Sequence, residues 1–307
     1  MSGPAQFVRL ENSLLLGVLV FFFCTSAGLT TTATTRPASA VADPHSTNLY
    51  SSQRVVIAAD TNYQYLKELF YRDSLTADSY ALERCYLDLY YPNDIDSFAT
   101  VIWFHGGGLR AGERYLPEEL MDQQLAVVPI NYRLYPRVGN PVWTEDAAAA
   151  VAWVLEHIAD YGGDPSRVYL AGHSAGGYLA SMVAMDRRYL EAFGSSADQL
   201  AGVFSFSGHT ITHFTVREER GLEWQDVVVD EFAPLAHIRP DLPPFYLICA
   251  DRERELYGRY EEVAYFWRMM KAVGVSKVEL YELDGYNHGN MPGPAFGILL
   301  EEIRAQY

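Results

Sequence analysis

The run Tyr169-Leu170-Ala171-Gly172-His173-Ser174-Ala175-Gly176-Gly177 passes from an apolar strand through Gly-x-Ser-x-Gly into a helical stretch. A serine between two such elements occupies a tight, strained turn, and the positions two residues either side must be glycine because a side chain there would collide with backbone. The turn presents the Ser174 hydroxyl at the C-terminal edge of a sheet. An ordinary glycine turn would need neither the strand before it nor the helix after it.

The rest of the chain agrees with that demand. From Glu83 onward, short β-branched or aromatic runs alternate with longer helical stretches, the pattern of a mostly parallel sheet with helices on both faces. The strand candidates are Cys85 to Tyr91, Thr100 to Phe104, Ala126 to Tyr132, Arg167 to Ala171, Gly202 to Ser207, Phe245 to Ala250 and Lys277 to Leu283. Val101 to Phe104 is apolar on both faces, as a central strand requires. Helices are expected over Thr144 to Tyr161 with Thr144 as N-cap, after Ser174, from about Tyr257 to Val273 with Gly274 as stop, and from Ala295 to the C-terminus. No internal repeat and no second domain are evident. Two segments, about 48–82 and 209–244, are cap-like, the second being long for a connection between strands.

A second constellation follows the central strand, Phe104-His105-Gly106-Gly107-Gly108. Acyl transfer needs backbone N–H groups to stabilise an oxyanion, and consecutive glycines let the chain turn such donors towards a site. Gly107 and Gly108 are the candidate donors, joined by Ala175 just after the serine. The same residues satisfy a dinucleotide fingerprint, Gly106-x-Gly108-x-x-Ala111, but that site wants an acidic residue at the end of the next strand, where the chain reads Ile130-Asn131-Tyr132-Arg133. A Walker loop and a His-Glu-x-x-His zinc pair are both absent from the sequence.

A nucleophilic serine needs a base, and neutral imidazole suits that task. Among the histidines, His288 in Asp284-Gly285-Tyr286-Asn287-His288-Gly289 follows the last strand, so its loop reaches the same sheet edge as Ser174. His105 and His173 lie inside the two motifs, where their expected role is structural. The acid that orients the imidazole should follow the preceding strand. There Asp251-Arg252-Glu253-Arg254-Glu255 offers three carboxylates within five residues. Spacing alone does not select among them, and a solvated charge run is the competing reading for each.

In the order Gly-rich loop, serine, acid, histidine, the chain resembles the α/β-hydrolase superfamily, and within it the esterases related to hormone-sensitive lipase and to bacterial feruloyl and acetylxylan esterases. The pieces that carry the resemblance are Leu87-Asp88-Leu89-Tyr90-Tyr91-Pro92, His105 to Gly108, Asn131-Tyr132-Arg133-Leu134, Gly163-Asp164-Pro165-Ser166-Arg167-Val168 and Gly172 to Gly177. It implies an α/β-hydrolase fold with a small cap over about Tyr86 to the C-terminus. In such enzymes the acid stands three residues beyond the small residue that ends its strand, which falls on Glu253, with Asp251 as the runner-up. Ala250 replaces the usual Gly, and Leu109-Arg110 stands where relatives often carry an aromatic. The resemblance further implies a serine carboxylic-ester hydrolase using Ser174, Glu253 and His288 through an acyl-enzyme, with an oxyanion hole of Gly107, Gly108 and Ala175. No metal or organic cofactor is called for. Short-chain acyl or aryl esters are expected, including acetyl or feruloyl esters of plant polysaccharide. The alternatives are an arylformamidase and, from another class, a non-catalytic hydrolase-fold binding protein.

Leu14 to Cys24 is a continuous apolar run preceded by Arg9, too short to span a bilayer comfortably, which takes about 20 apolar residues. It fits the h-region of a signal peptide over residues 1–27, with cleavage as late as 40, followed by a linker to 47 and the hydrolase domain over 48–307. An uncleaved anchor and a buried helix are the competing readings. A secreted or periplasmic protein follows, with no stable membrane insertion after cleavage. The net charge of −16 disfavours nucleic acid as a partner, because such binding draws on a basic surface. Cys85 and Cys249 lie in apolar, strand-like stretches and read as two buried free thiols. The expected partner is a small or polysaccharide-linked ester, and the sequence leaves oligomeric state open.

Overall fold

The computed structural model describes residues 7–9, 55–58 and 62–306. Its strands are β1 (Phe7–Arg9), β2 (Val55–Ala58), β3 (Tyr63–Phe70), β4 (Tyr86–Pro92), β5 (Phe98–Phe104), β6 (Leu125–Ile130), β7 (Gly163–His173), β8 (Leu200–Phe206), β9 (Phe245–Ala250) and β10 (Val278–Leu283). They form one ten-stranded sheet in the order β1-β10-β9-β8-β7-β5-β6-β4-β3-β2. The stretch from β10 through β6 is parallel throughout. Strands β4, β3 and β2 continue it antiparallel on one side, and β1 pairs antiparallel with β10 on the other.

Every residue of β5 is buried, which follows from its place between β6 and β7. Because side chains alternate across a strand, β5 feeds two cores. Ile102 and Phe104 pack on one face with Leu170 of β7, and Val101 and Trp103 pack on the other with Tyr169 and Ala171. The helices that cover these faces are α2 (Val142–His157), α3 (Ala175–Met185), α6 (Arg259–Val273) and α7 (Pro292–Arg304), with the short α1 (Ser79–Arg84), α4 (Arg187–Glu191) and α5 (Phe214–Glu219) between them. Buried residues of α2, α3 and α6 join the first core, while those of α7 join the second. None of the described helices is long and apolar enough to cross a membrane.

Two expectations change, and a third lies beyond what is described. The first is the start of α2, which lies at Val142 behind Pro141 rather than at Thr144; Thr144 is buried inside the first turn, and its amide donates to the Pro141 carbonyl at 2.9 Å. Next, the described part of the 48–82 segment extends the sheet instead of capping it. Strand β3 pairs with β4, and Tyr63 stacks on Tyr90 with centroids 4.5 Å apart. A bulge between Leu66 and Leu69, with Glu68 at φ 59°, breaks the two-residue alternation, which is why the sequence shows so little periodicity there. Finally, the signal segment 1–27 and linker 28–47 lie outside the described residues, apart from Phe7–Arg9 in β1.

The pieces that carried the resemblance have structural roles. Arg133 holds Asp146 of α2 through both carboxylate oxygens at 2.8 Å, an ion pair closed off from solvent. Asn131 accepts from the Arg114 amide at 2.6 Å and donates to Glu113, tying the end of β6 to the loop after β5. Cys85 and Cys249 are free and buried, and burial pushes the Cys85 thiol up to about 12.

Candidate active site

Ser174 stands between β7 and α3 with φ 55° and ψ −117°, a conformation that costs a non-glycine residue about 1–3 kcal/mol. Its neighbours hold it there. The Ser174 amide donates to the Phe206 carbonyl of β8 at 2.8 Å. A Cβ on Gly172 would lie 2.4 Å from the Gly176 carbonyl group, and one on Gly176 would lie 2.0 Å from the Phe104 carbonyl oxygen. Both glycines are therefore fixed by backbone approaching backbone, which side-chain repacking cannot relieve.

The loop after β5 turns back on itself, with the Arg110 and Ala111 amides both donating to the Gly107 carbonyl at 3.1 Å. Gly107 has φ +108°, and a Cβ on it would meet the Ala111 carbonyl oxygen at 2.1 Å. The carbonyl of Gly108 accepts from Thr215 Oγ1 at 2.6 Å, which fixes that peptide plane from α5. Ala175 opens α3, so its amide has no acceptor within the helix. The amides of Gly107, Gly108 and Ala175 thus start from two loops that meet beside Ser174, whose Cβ would lie 3.5 Å from a Cβ on Gly106.

His105 anchors the loop from beneath. Its ring stacks on Tyr132 with centroids 4.4 Å apart, its Nδ1 donates to the Gly106 carbonyl at 2.7 Å, and the Tyr132 hydroxyl donates to the His105 carbonyl at 2.8 Å. Burial lowers the ring's pKa to about 4, so it stays neutral. Beyond the glycines, Leu109 is buried, while Arg110 lies over the Tyr135 ring at 4.7 Å and pairs with Glu218 of α5. The aromatic expected after the loop is thus replaced by a guanidinium that reaches the 209–244 segment.

His288 lies in the loop after β10, and its Nδ1 is 2.6 Å from Glu255 Oε1. The Glu255 side chain is 1% exposed and accepts two more hydrogen bonds, from Ser207 Oγ at 2.5 Å and the Leu256 amide at 2.8 Å. Burial pushes its carboxyl up, but the bonds from His288 and Ser207 outweigh that and hold it at about 2. A carboxylate on Nδ1 keeps the proton there and leaves Nε2 of the neutral ring as an acceptor.

Glu253, expected as the orienting acid, is not in contact with His288: it is exposed, and its amide donates to Asp251 Oδ1 at 2.9 Å. Asp251 is not in contact either, because its carboxylate takes the amides of Glu253 and Gly285 and so ties the β9 loop to the β10 loop. The cause is the turn after Ala250. Arg254 and Glu255 both donate their amides to the Asp251 carbonyl at 2.8 Å, which leaves residues 252–254 exposed and brings position 255 round beneath His288. Ser207, with φ 47° just after β8, is a further contact that spacing gave no reason to single out. His209 and His213 lie buried in the next segment, with His209 bonded to Glu262 at 2.9 Å and His213 capping α5.

The family model described as BD-FAE matches residues 87–234. A probable isoprenylcysteine alpha-carbonyl methylesterase of Arabidopsis thaliana is 29% identical over 213 residues, covering 60% of this chain and 44% of that protein. The chain spans about half or less of the length of the curated relatives it matches. Among solved structures, a truncated carbohydrate esterase from gut microbiota superposes with a TM-score of 0.64 at 17% identity, over 81% of this chain and 98% of that one. The thermophilic esterase of Thermogutta terrifontis with propionate bound gives a TM-score of 0.59 at 26% identity, over 77% and 91% of the two chains. With Gly-x-Ser-x-Gly on β7, a histidine after β10 and a carboxylate after β9, the chain has the α/β-hydrolase fold.

Proposed function

We propose that the protein is a serine carboxylic-ester hydrolase in which Ser174, His288 and Glu255 act together. The observation that carries this reading is the strained Ser174 on the same sheet edge as a histidine whose Nδ1 is bound, at 2.6 Å, to a buried carboxylate. His288 Nε2 takes the Ser174 proton as Oγ attacks the ester carbonyl, and the amides of Gly107, Gly108 and Ala175 receive the oxyanion. The imidazolium then gives its proton to the departing alcohol, and water releases the acyl group by the reverse route. Glu255 stays ionised throughout and holds the ring in the tautomer that the attack needs.

Two contacts beside the glycine loop support short acyl or aryl esters over long chains. Phe214 lies so close to Gly108 that a Cβ there would be 2.9 Å from its ring, and Arg110 with Tyr135 closes in beside it. Support for a carbohydrate-linked acetyl or feruloyl ester comes from the BD-FAE match and the carbohydrate-esterase fold. The apolar run Leu14 to Cys24 supports export and therefore an external substrate.

The test is hydrolysis of p-nitrophenyl acetate, butyrate and decanoate, followed by acetylated and feruloylated xylan. Rapid turnover of the short esters that disappears in Ser174→Ala is the expected result. Equal rates in Ser174→Ala and the parent protein would overturn the reading.

A further inference from the structure

The Gly-x-Ser-x-Gly pattern places no demand on the residue before the serine, yet here that residue is a histidine engaged on both sides. His173 Nε2 lies 2.8 Å from the main-chain carbonyl oxygen of His288, and the two rings are 4.7 Å apart. A carbonyl only accepts, so Nε2 carries the proton and Nδ1 does not. On the other side, a Cβ on Gly106 would lie 3.3 Å from His173 Nδ1 and 3.2 Å from its carbonyl oxygen. The ring thus fills the space between the Gly-rich loop and the loop of His288.

That second loop needs a tether. Asp284, Gly285, Asn287, Gly289 and Asn290 are all exposed, and the Asn287 side chain bonds only to amides of its own loop, those of Gly289 and Asn290, at 3.0 and 3.1 Å. Its start is fastened by Asp251, which takes the Gly285 amide at 2.8 Å and gives its own amide to the Tyr286 carbonyl at 3.1 Å, and by Arg254 on the Gly285 carbonyl, so the last of these anchors stands two residues before His288. His173 fastens it at His288 itself. Burial lowers the His173 ring to about 4, with the neighbouring His288 adding to the effect, so the tether brings no second positive charge beside a ring that must take up a proton.

We infer that His173 is a positioning residue: its Nε2–H holds the His288 main chain so that the imidazole stays in line between Glu255 and Ser174. This rests on the reading of Ser174 as nucleophile, and the test separates the two. His173→Gln carries an N–H donor to about the reach of Nε2, whereas His173→Asn stops a bond short and His173→Phe keeps the ring without the donor. With p-nitrophenyl acetate, the Asn and Phe variants are expected to lose about ten- to hundred-fold in kcat/KM, through kcat with KM unchanged, while Gln stays within about threefold.

A readout that needs no turnover accompanies it. The short, charge-assisted Nδ1–H bond to Glu255 gives a strongly downfield, exchange-protected proton in the NMR spectrum, assigned by its loss in Glu255→Gln. The tether predicts that this signal survives in His173→Gln and broadens or vanishes in the Asn and Phe variants. An unchanged signal with unchanged kcat/KM in those two variants would overturn the inference. If the parent protein shows no Ser174-dependent hydrolysis, the esterase reading fails, and the proton signal alone then decides the tether.

Discussion

The division of labour among three neighbouring carboxylates is decided by where one turn points them. Asp251 spends its oxygens on the amides of Glu253 and Gly285, Glu253 faces solvent, and Glu255 alone meets His288. Glu255→Gln should therefore lower kcat/KM by about 10²–10⁴-fold, because an amide no longer enforces the imidazole tautomer, while Glu253→Gln should stay within about twofold. Comparable losses in both variants would show that the loop charge as a whole, rather than one contact, sustains activity. The same carboxyl sets a pH expectation. Its value falls from the ordinary 4.5 to about 2 in the folded chain, so the stability it contributes is complete above about 4.5 and is lost as pH falls through about 2. Unfolding followed between pH 2 and pH 5 should show a shallower decline in Glu255→Gln than in the parent, and parallel curves would contradict it.

Among elements, the junction of β5, β7 and α3 leaves no room for an added side chain at its glycines. Gly176→Ala would drive a Cβ to 2.0 Å from the Phe104 carbonyl oxygen. We expect it to destabilise the fold by about 3 kcal/mol in urea unfolding and to remove activity together with stability. Arg133→Met should cost about 3–5 kcal/mol by the same measurement, because it strands Asp146, which is fully buried, without its bidentate partner. A loss below about 1 kcal/mol in either variant would mean that the surrounding backbone yields more than its contacts suggest.

At this level most of the architecture was legible in the sequence. The central parallel strands β5, β6 and β9 are continuous apolar runs, and the two glycine motifs lie at strand ends where their chemistry requires them. Elements whose pattern is locally interrupted were not legible: β3 with its bulge, and the start of α2, where Pro141 replaces a side-chain cap. For the site, Ser174 and His288 follow from topology alone, since each ends a strand on the same edge. Glu255 does not, because the choice among 251, 253 and 255 depends on two backbone hydrogen bonds to the Asp251 carbonyl that no side-chain pattern encodes.

For the whole molecule, the net charge of −16 bears on which esters the proposed hydrolase would meet fastest. An acidic polysaccharide is repelled over roughly 10 Å at about 0.1 M salt, whereas a neutral ester such as p-nitrophenyl acetate is not. Raising ionic strength should therefore increase kcat/KM for acetyl groups on a glucuronic-acid-bearing xylan and leave the small ester nearly unchanged. An equal response of both substrates would place the acidic surface away from the approach path. The connection between β8 and β9 holds one more consequence. Ser174, His288 and Glu255 hang from the ends of β7, β10 and β9, but the wall beside the glycine loop hangs from that single insertion, through Thr215 on the Gly108 carbonyl and Glu218 on Arg110. On the proposed mechanism reagent and mould are separate parts, so grafting this insertion from one relative to another should change substrate preference while leaving Ser174-dependent turnover in place.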